Sequence, residues 1–183
     1  MKLSAKIICY HLQKSFSIHT SRLDTFPTLS CPSCFEKSMP LQDGRVYLIT
    51  DPDFQPTFHH PKNILFLMIG KAYQNYELSQ PNMCIIPEDL PVNTVFNKLQ
   101  DIFILYDQWN QSLMESRLRN ASIQELLDLT TSIIPNPMML IGMDFTIIAS
   151  RGWDLGDLSN SVLGSSENSW DIVDSLKQDP HYE

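Results

Sequence analysis

Long apolar runs are missing from this 183-residue chain. The longest, NILFLMIG (63–70) and DIFILY (101–106), fall far short of the roughly 18–20 residues that a membrane-crossing helix needs. The opening MKLSAKIICYHLQK breaks its apolar stretch at His11, Gln13 and Lys14. A secretory leader needs a longer core and a small-residue cleavage site, so none is expected and the expected compartment is the cytoplasm. Basic residues are also scarce, with 13 Lys+Arg against 21 Asp+Glu and a net charge of −8. Residues 1–120 hold 11 of each sign, whereas residues 121–183 hold 2 basic and 10 acidic residues. The tight basic pair Arg117/Arg119 stands alone. Nucleic-acid binding needs clustered cations to displace counterions from phosphates, so these residues are not expected to bind DNA themselves. Glycine is rare, at 6 residues, and no GxGxxG, P-loop, HExxH or GxSxG string occurs. No catalytic constellation can be assembled and no cofactor is implied, so a non-enzymatic protein is expected. The four cysteines are expected to be thiols rather than disulfide staples in a cytoplasmic protein.

Proline is unevenly placed, which divides the chain. Nine of the 12 prolines lie between Pro27 and Pro91, and residues 92–134 contain neither proline nor glycine. In the turn-rich first part, LSAKIICYHLQK sets Leu3, Ile7, Ile8 and Leu12 near one helical face. Three short unbroken apolar runs follow, VYLIT (46–50), ILFLMI (64–69) and MCII (83–86). Continuous rather than alternating apolarity predicts strands covered on both faces, in a small parallel or mixed sheet. TLSCPSCF reads as a further, irregular strand, and KAYQNYELS as a short crossover helix. The expectation for residues 1–91 is a layered α/β domain.

In VNTVFNKLQDIFILYDQWNQSLMESRLRN the residues Val92, Val95, Leu99, Ile102, Tyr106, Trp109 and Leu113 recur at spacings of three and four, a heptad-like seam. A helix of this length spans roughly 40 Å at 1.5 Å per residue. A domain of roughly 90 residues is only about 25–30 Å across. The helix, residues 92–120, is therefore expected to overhang its domain. Val95, Leu99, Ile102, Tyr106, Trp109 and Leu113 are the candidate contacts of a homodimer; packing on its own domain is the plainer alternative. Next, Ser122 and Glu125 form a capping box for a second helix over ASIQELLDLTTSII, which PNP (135–137) stops. MMLIGMDFTIIAS reads as a hairpin turning at Gly142–Asp144. The acidic remainder suggests a last helix from about Trp170 to Lys177. Two strands and a helix do not close a domain, so residues 121–183 are expected to begin an incomplete second α/β domain.

CPSC (31–34) is the loudest chemical string. A structural zinc site wants four ligands, often two CxxC pairs or CxxC with HxxxH. Here the remaining candidates are Cys9, Cys84, His11, His19 and the adjacent His59 and His60, which repeat no paired spacing. Redox use would place CxxC at a helix start behind a strand, and CPSCFEKSMP lacks that pattern. Pro32 instead suggests a sheet edge or bulge. Metal binding by Cys31, Cys34, His59 and His60 stands as the weaker alternative. The carboxylates Glu88 and Asp89 read as charge favouring the following helix start.

The stretch from NMCIIPEDLP to NPMMLIGMDFTIIAS resembles the N-terminal regulatory region of PucR-like bacterial transcription regulators, the purine-catabolism and sugar-diacid regulator group. IIPEDLP closes a strand, VFNKLQDIFILYDQW opens the long helix, SIQELLDL makes the next, and the hairpin enters a sensory domain. The likeness covers about residues 40–150. It implies an α/β domain and a PAS- or GAF-like domain that regulate a C-terminal helix-turn-helix, which these residues do not include. The expected function is then regulatory: an unidentified small-molecule effector, a homodimer, and DNA contacted only through a C-terminal domain outside residues 1–183. A small metal- or thiol-dependent module using CPSC, and a structural interaction adaptor, are the rivals.

Overall fold

The computed structural model describes residues 1–51, 54, 63–74, 78, 80–142 and 147–152. The Gly142–Asp144 turn and the helix expected near 170–177 fall wholly or partly outside them. The chain divides into two compact units, Met1–Gln108 and Trp109–Glu183. The first is mixed α/β, with a mostly parallel five-stranded sheet.

Helix α1 (Ala5–Leu12) starts where Ser4 accepts a hydrogen bond from the Ile7 N–H at 3.2 Å, an N-cap that satisfies one orphan donor. Leu3 exchanges two backbone hydrogen bonds with Leu29, at 2.7 and 2.9 Å. The strands are β1 (His19–Thr20), β2 (Cys31–Cys34), β3 (Arg45–Ile49), β4 (Ile64–Ile69) and β5 (Met83–Ile86). Their order across the sheet is β1-β5-β4-β3-β2. β2 to β5 are parallel in sequence order, and β1 adds antiparallel to the edge of β5. The three apolar runs thus become the three inner strands, buried along nearly their whole length. That is what two-sided cover of a parallel sheet requires. KAYQNYELS contributes only a 3-10 turn at Lys71–Tyr73 among its described residues.

The register assigns every inner side chain to a face. Tyr47, Phe66 and Met83 align on one side, as do Ile49, Met68 and Ile85. This side forms an aromatic-rich core with Phe54 and Tyr73, flanked by Phe35, Leu41 and Leu78. Phe35, Leu41, Phe54, Tyr73 and Leu78 come from all three connections between the parallel strands, so each crossover places described residues over the same face. A single handedness of crossover has this consequence when strands are laid down in sequence order. The other face carries Val46, Leu48, Leu65, Leu67, Cys84 and Ile86, each no more than 2% exposed. Helices α1 and α2 (Val92–Leu118) cover it: their buried residues are absent from the aromatic core.

α2 is one unbroken 27-residue helix. Its seam is already used within the single chain. Val95 and Leu99 are 0% exposed, Ile102 3% and Tyr106 6%. A side chain covered in this way has no surface left for a second copy. The plainer alternative, packing on the helix's own domain, therefore describes these four residues, and they are not available as dimer contacts. Trp109 and Leu113 are half-buried. The apolar residues α2 leaves outside are Ile104, Met114 and Leu118, at 51%, 61% and 84% exposure.

In the second unit, α3 (Ile123–Asp128) opens with the expected capping box. The Ser122 hydroxyl accepts from the Glu125 N–H at 3.2 Å, and Glu125 Oε2 accepts from the Ser122 N–H at 2.8 Å. β6 (Met138–Ile141) and β7 (Ile147–Arg151) pair antiparallel. Gln124 of α3 donates to the Ser150 carbonyl at 2.9 Å and accepts from its N–H at 3.2 Å. The amide thus occupies the backbone of β7 as a neighbouring strand would. Arg151 donates to the carbonyls of Ile134 and Asn136, closing the PNP segment onto β7.

Candidate functional site

In open α/β sheets a crevice opens at the carboxyl ends of the strands, where one connection leaves to one face and its neighbour to the other. β4 and β5 are such a pair. The chain leaving β4 crosses the aromatic face through Tyr73 and Leu78, whereas the chain leaving β5 enters α2 on the helical face. Gly70 and Asp89 stand at the parting. Gly70 donates its N–H to the Ile86 carbonyl at 2.9 Å and holds φ +123°, a conformation open essentially to glycine. Its missing Cβ would sit 3.5 Å from Asp89 Oδ1.

The Asp89 carboxylate stands exposed at this rim. Oδ1 accepts the Lys71 N–H at 2.9 Å, and the Lys71 ammonium reaches Oδ2 at 3.2 Å. The backbone hydrogen bond from Lys71, followed by its side chain, holds the Asp89 carboxyl below the usual aspartate value of 3.8. The sequence assigned Asp89 to the electrostatics of the helix start, but its partner is a residue eighteen positions upstream. The usable sequence signal was Gly-Lys directly after the apolar run ILFLMI, with a carboxylate directly after MCII.

Further groups share this rim. Lys37, following β2, pairs with Asp51, following β3, at 2.7 Å. The Tyr73 hydroxyl donates to the Asp51 carbonyl. Two cations and two carboxylates are thus aligned along the strand ends in neutral pairs. Such a rim can exchange its internal partners for those of a polar ligand; among the described residues it presents no nucleophile activated by a base.

On the helical side, His11 Nε2 lies 3.1 Å from the Tyr106 hydroxyl, and the rings meet edge to face at 5.5 Å. Burial, then Lys14 and Lys98, lower the His11 pKa below 6.5. Burial, then Tyr10, raise that of Tyr106. Beside them is a cleft of about 110 Å³ lined by His11, Lys14, Lys98, Asp101, Ile102 and Leu105, room for only a few waters at about 30 Å³ each.

CPSC is the whole of β2, at the sheet edge. Cys31 lies in register with Arg45, and Cys34 with Leu48. Strand side chains alternate, so residues three apart face opposite ways. Cys31 is on the crossover side, where Arg45 donates to its sulfur at 2.8 Å and to the Ser33 hydroxyl at 3.1 Å. Cys34 is on the other side, exposed. The two sulfurs therefore cannot grip one ion, and the CPSC pair of the metal alternative is lost. His59 and His60 lie outside the described residues. Among the described residues no group of three or more metal-ligating side chains is assembled. Pro32 fits the edge position: the Phe35 N–H points at the Leu48 carbonyl of β3, so by alternation position 32 points outward, where a missing donor costs nothing.

No helix among the described residues is long and apolar enough to cross a membrane. No family model matches the chain, and no curated protein or solved structure is significantly similar to it.

Proposed function

We propose that the chain is a non-enzymatic regulatory region of a PucR-like transcription regulator, which binds a polar small molecule at the carboxyl rim of its sheet and passes the event along α2. The observation that carries this reading is one of connection. Asp89 holds Lys71 where the chains leaving β4 and β5 part, Val92 begins α2 three positions later, and α2 runs without a break from the first compact unit into the second. A ligand that takes Lys71 from Asp89 would release the segment that anchors the start of α2. Regulation of this kind needs two states with different contacts. The Lys71–Asp89 pair is the contact that would differ. The order of parts supports the same reading: parallel-sheet domain, long helix, capped short helix, hairpin. In this reading α3, β6 and β7 open a PAS- or GAF-like sensory domain, the protein works in the cytoplasm, and a helix-turn-helix outside these residues contacts DNA.

Homodimerisation belongs to the proposal, with the exposed Met114 and Leu118 of α2 as contacts in place of the buried part of the seam. The test fuses the chain to a DNA-binding head that represses a reporter only as a dimer. Repression that is lost in Leu118→Asp, with helical content retained, is the expected result. A folded fusion that does not repress, together with a monomer by light scattering at high micromolar concentration, would refute the reading.

A further inference from the structure

The cleft between α1 and α2 gathers more positive charge than it neutralises. Lys14, just past the end of α1, and Lys98 and Asp101 of α2 line it together with His11. Asp101 is ion-paired with neither lysine: the ion pairs among the described residues lie at Met1–Asp107, Lys37–Asp51 and Lys71–Asp89. The Lys14 ammonium rests instead 4.2 Å from the centre of the Tyr10 ring, a weak contact for an exposed cation. Two cations thus share the cleft with one carboxylate.

His11 adds a donor in reserve. It is 9% exposed, and Nε2 is occupied by the Tyr106 hydroxyl at 3.1 Å. Nδ1 has no partner among the described residues, yet it is not sealed from solvent. A protonated ring whose Nε2 is held by a hydroxyl presents Nδ1 as an N–H donor. The plain alternative is that His11 and Lys14 complement the carbonyl end of α1. It gives no reason for Lys98, which belongs to the other helix and is half-buried. The cleft's volume of about 110 Å³ is that of about three or four waters at ~30 Å³ each. It admits a tetrahedral oxyanion and excludes a drug-sized molecule, which needs roughly 300–1,000 Å³.

We propose that this cleft binds a tetrahedral oxyanion, sulfate or a phosphate group, between Lys14 and Lys98, with His11 as a proton-linked third donor. The bound anion ties the end of α1 to α2. Asp101 opposes it and keeps the affinity modest. Protonation and binding are coupled. Burial, then Lys14 and Lys98, lower the His11 pKa below 6.5. An anion that offsets the two lysines lifts it again, so by reciprocity binding tightens as pH falls through the His11 value. The other titratable groups around the ring are Tyr10 and Lys14 on one side and Lys98, Asp101 and Tyr106 on α2. None of these residue types ordinarily changes charge between about pH 5 and 8, so the linked proton is that of His11. This proposal does not depend on the regulatory reading above, whose rim pairs it does not involve.

The experiment titrates the whole chain with sodium sulfate, whose charge is constant over this pH range, against sodium chloride at equal ionic strength. The readout is the His11 ring C–H signal in NMR spectra, assigned by its loss in His11→Gln. Melting temperature is unsuitable, because sulfate stabilises folded proteins generally. The expected result is a saturable shift with sulfate alone, a His11 titration midpoint moved upward, and binding about three- to tenfold tighter at about pH 5.5 than at about pH 7.5. Lys98→Gln weakens binding about two- to fivefold, Asp101→Asn tightens it, and His11→Gln, followed by backbone amide signals of α2, binds without the pH dependence. Orthophosphate and methyl phosphate repeat the titration: preference for the first assigns a free ion, and preference for the second assigns the phosphate group of a larger molecule. His11 signals that follow ionic strength alone in the wild-type chain overturn the proposal. So does an affinity unmoved by Lys98→Gln and Asp101→Asn in folded variants.

Discussion

His11 Nε2 stands 3.1 Å from the Tyr106 hydroxyl, a buried hydrogen bond between residues 95 positions apart. It joins α1 to α2 above the sheet, with Lys14, Lys98 and Asp101 around the adjoining cleft. Burial and the two lysines lower the folded-state pKa of His11 below 6.5. Below pH 6.5 the unfolded chain therefore binds more protons than the folded one. The His11 contribution is complete above pH 6.5 and is lost as pH falls through the folded value. His11→Gln, which cannot titrate, is expected to flatten this acid limb of the stability curve in denaturant melts at several pH values. An acid limb as steep as the parent's would count against His11 as its source. Tyr106→Phe should cost about 1 kcal/mol through the lost hydrogen bond.

The α2 seam has been assigned to the chain's own core, which separates two kinds of substitution. Leu99→Ala should destabilise by about 2–5 kcal/mol, as truncation of a fully buried leucine does. Leu118→Asp should leave the melting curve within about 0.5 kcal/mol of the parent, as expected of an exposed site, and alter only self-association. Chemical denaturation and light scattering measure the two effects apart. Equal destabilisation by both would contradict the assigned faces.

Cys31→Ser with Cys34→Ser should fold like the parent, with stability changed by no more than about 0.5–1 kcal/mol. A serine hydroxyl at position 31 can still accept from Arg45. Elemental analysis after dialysis should give the same metal content for both proteins. Stoichiometric zinc in the parent alone would restore the metal-binding alternative.

At the rim, Asp89→Ala removes the acceptor of the Lys71 N–H. Hydrogen exchange at that amide should speed up while exchange in β3 and β4 stays as it was. Gly70→Ala forces a side chain into φ +123° and should cost about 1–3 kcal/mol. Unchanged exchange at Lys71 in Asp89→Ala would remove the contact on which the proposed coupling to α2 stands.

In the second unit, Ser122→Ala breaks the capping box and should cost about 0.5–2 kcal/mol in local helix stability. Backbone amide exchange across α3 reads this directly, and exchange in the β3–β5 sheet should not respond.

The sequence by itself determined the elements. Three short unbroken apolar runs became three inner strands because a strand covered on both faces has no place for polar residues. Ser122 and Glu125 became a capping box because both partners lie within one helical turn. Pro32 announced an edge because only an outward position spares a hydrogen bond. The first part of the proline-free and glycine-free stretch 92–134 became α2, and the break before α3 falls at Asn120, with φ +56°, next to the Ser122 capping box. Tertiary structure decided which partners each element met. Seam periodicity states that one face of α2 is apolar, but whether that face meets its own sheet or a second chain depends on where α1 and the sheet lie. Asp89 and Lys71, and His11 and Tyr106, are pairs distant in sequence. Strand order, register and the face taken by each crossover bring them together, and no local pattern encodes those. CPSC moved the other way: its spacing suggested a shared ligand, and the alternation of a β-strand placed its two sulfurs on opposite sides of the sheet.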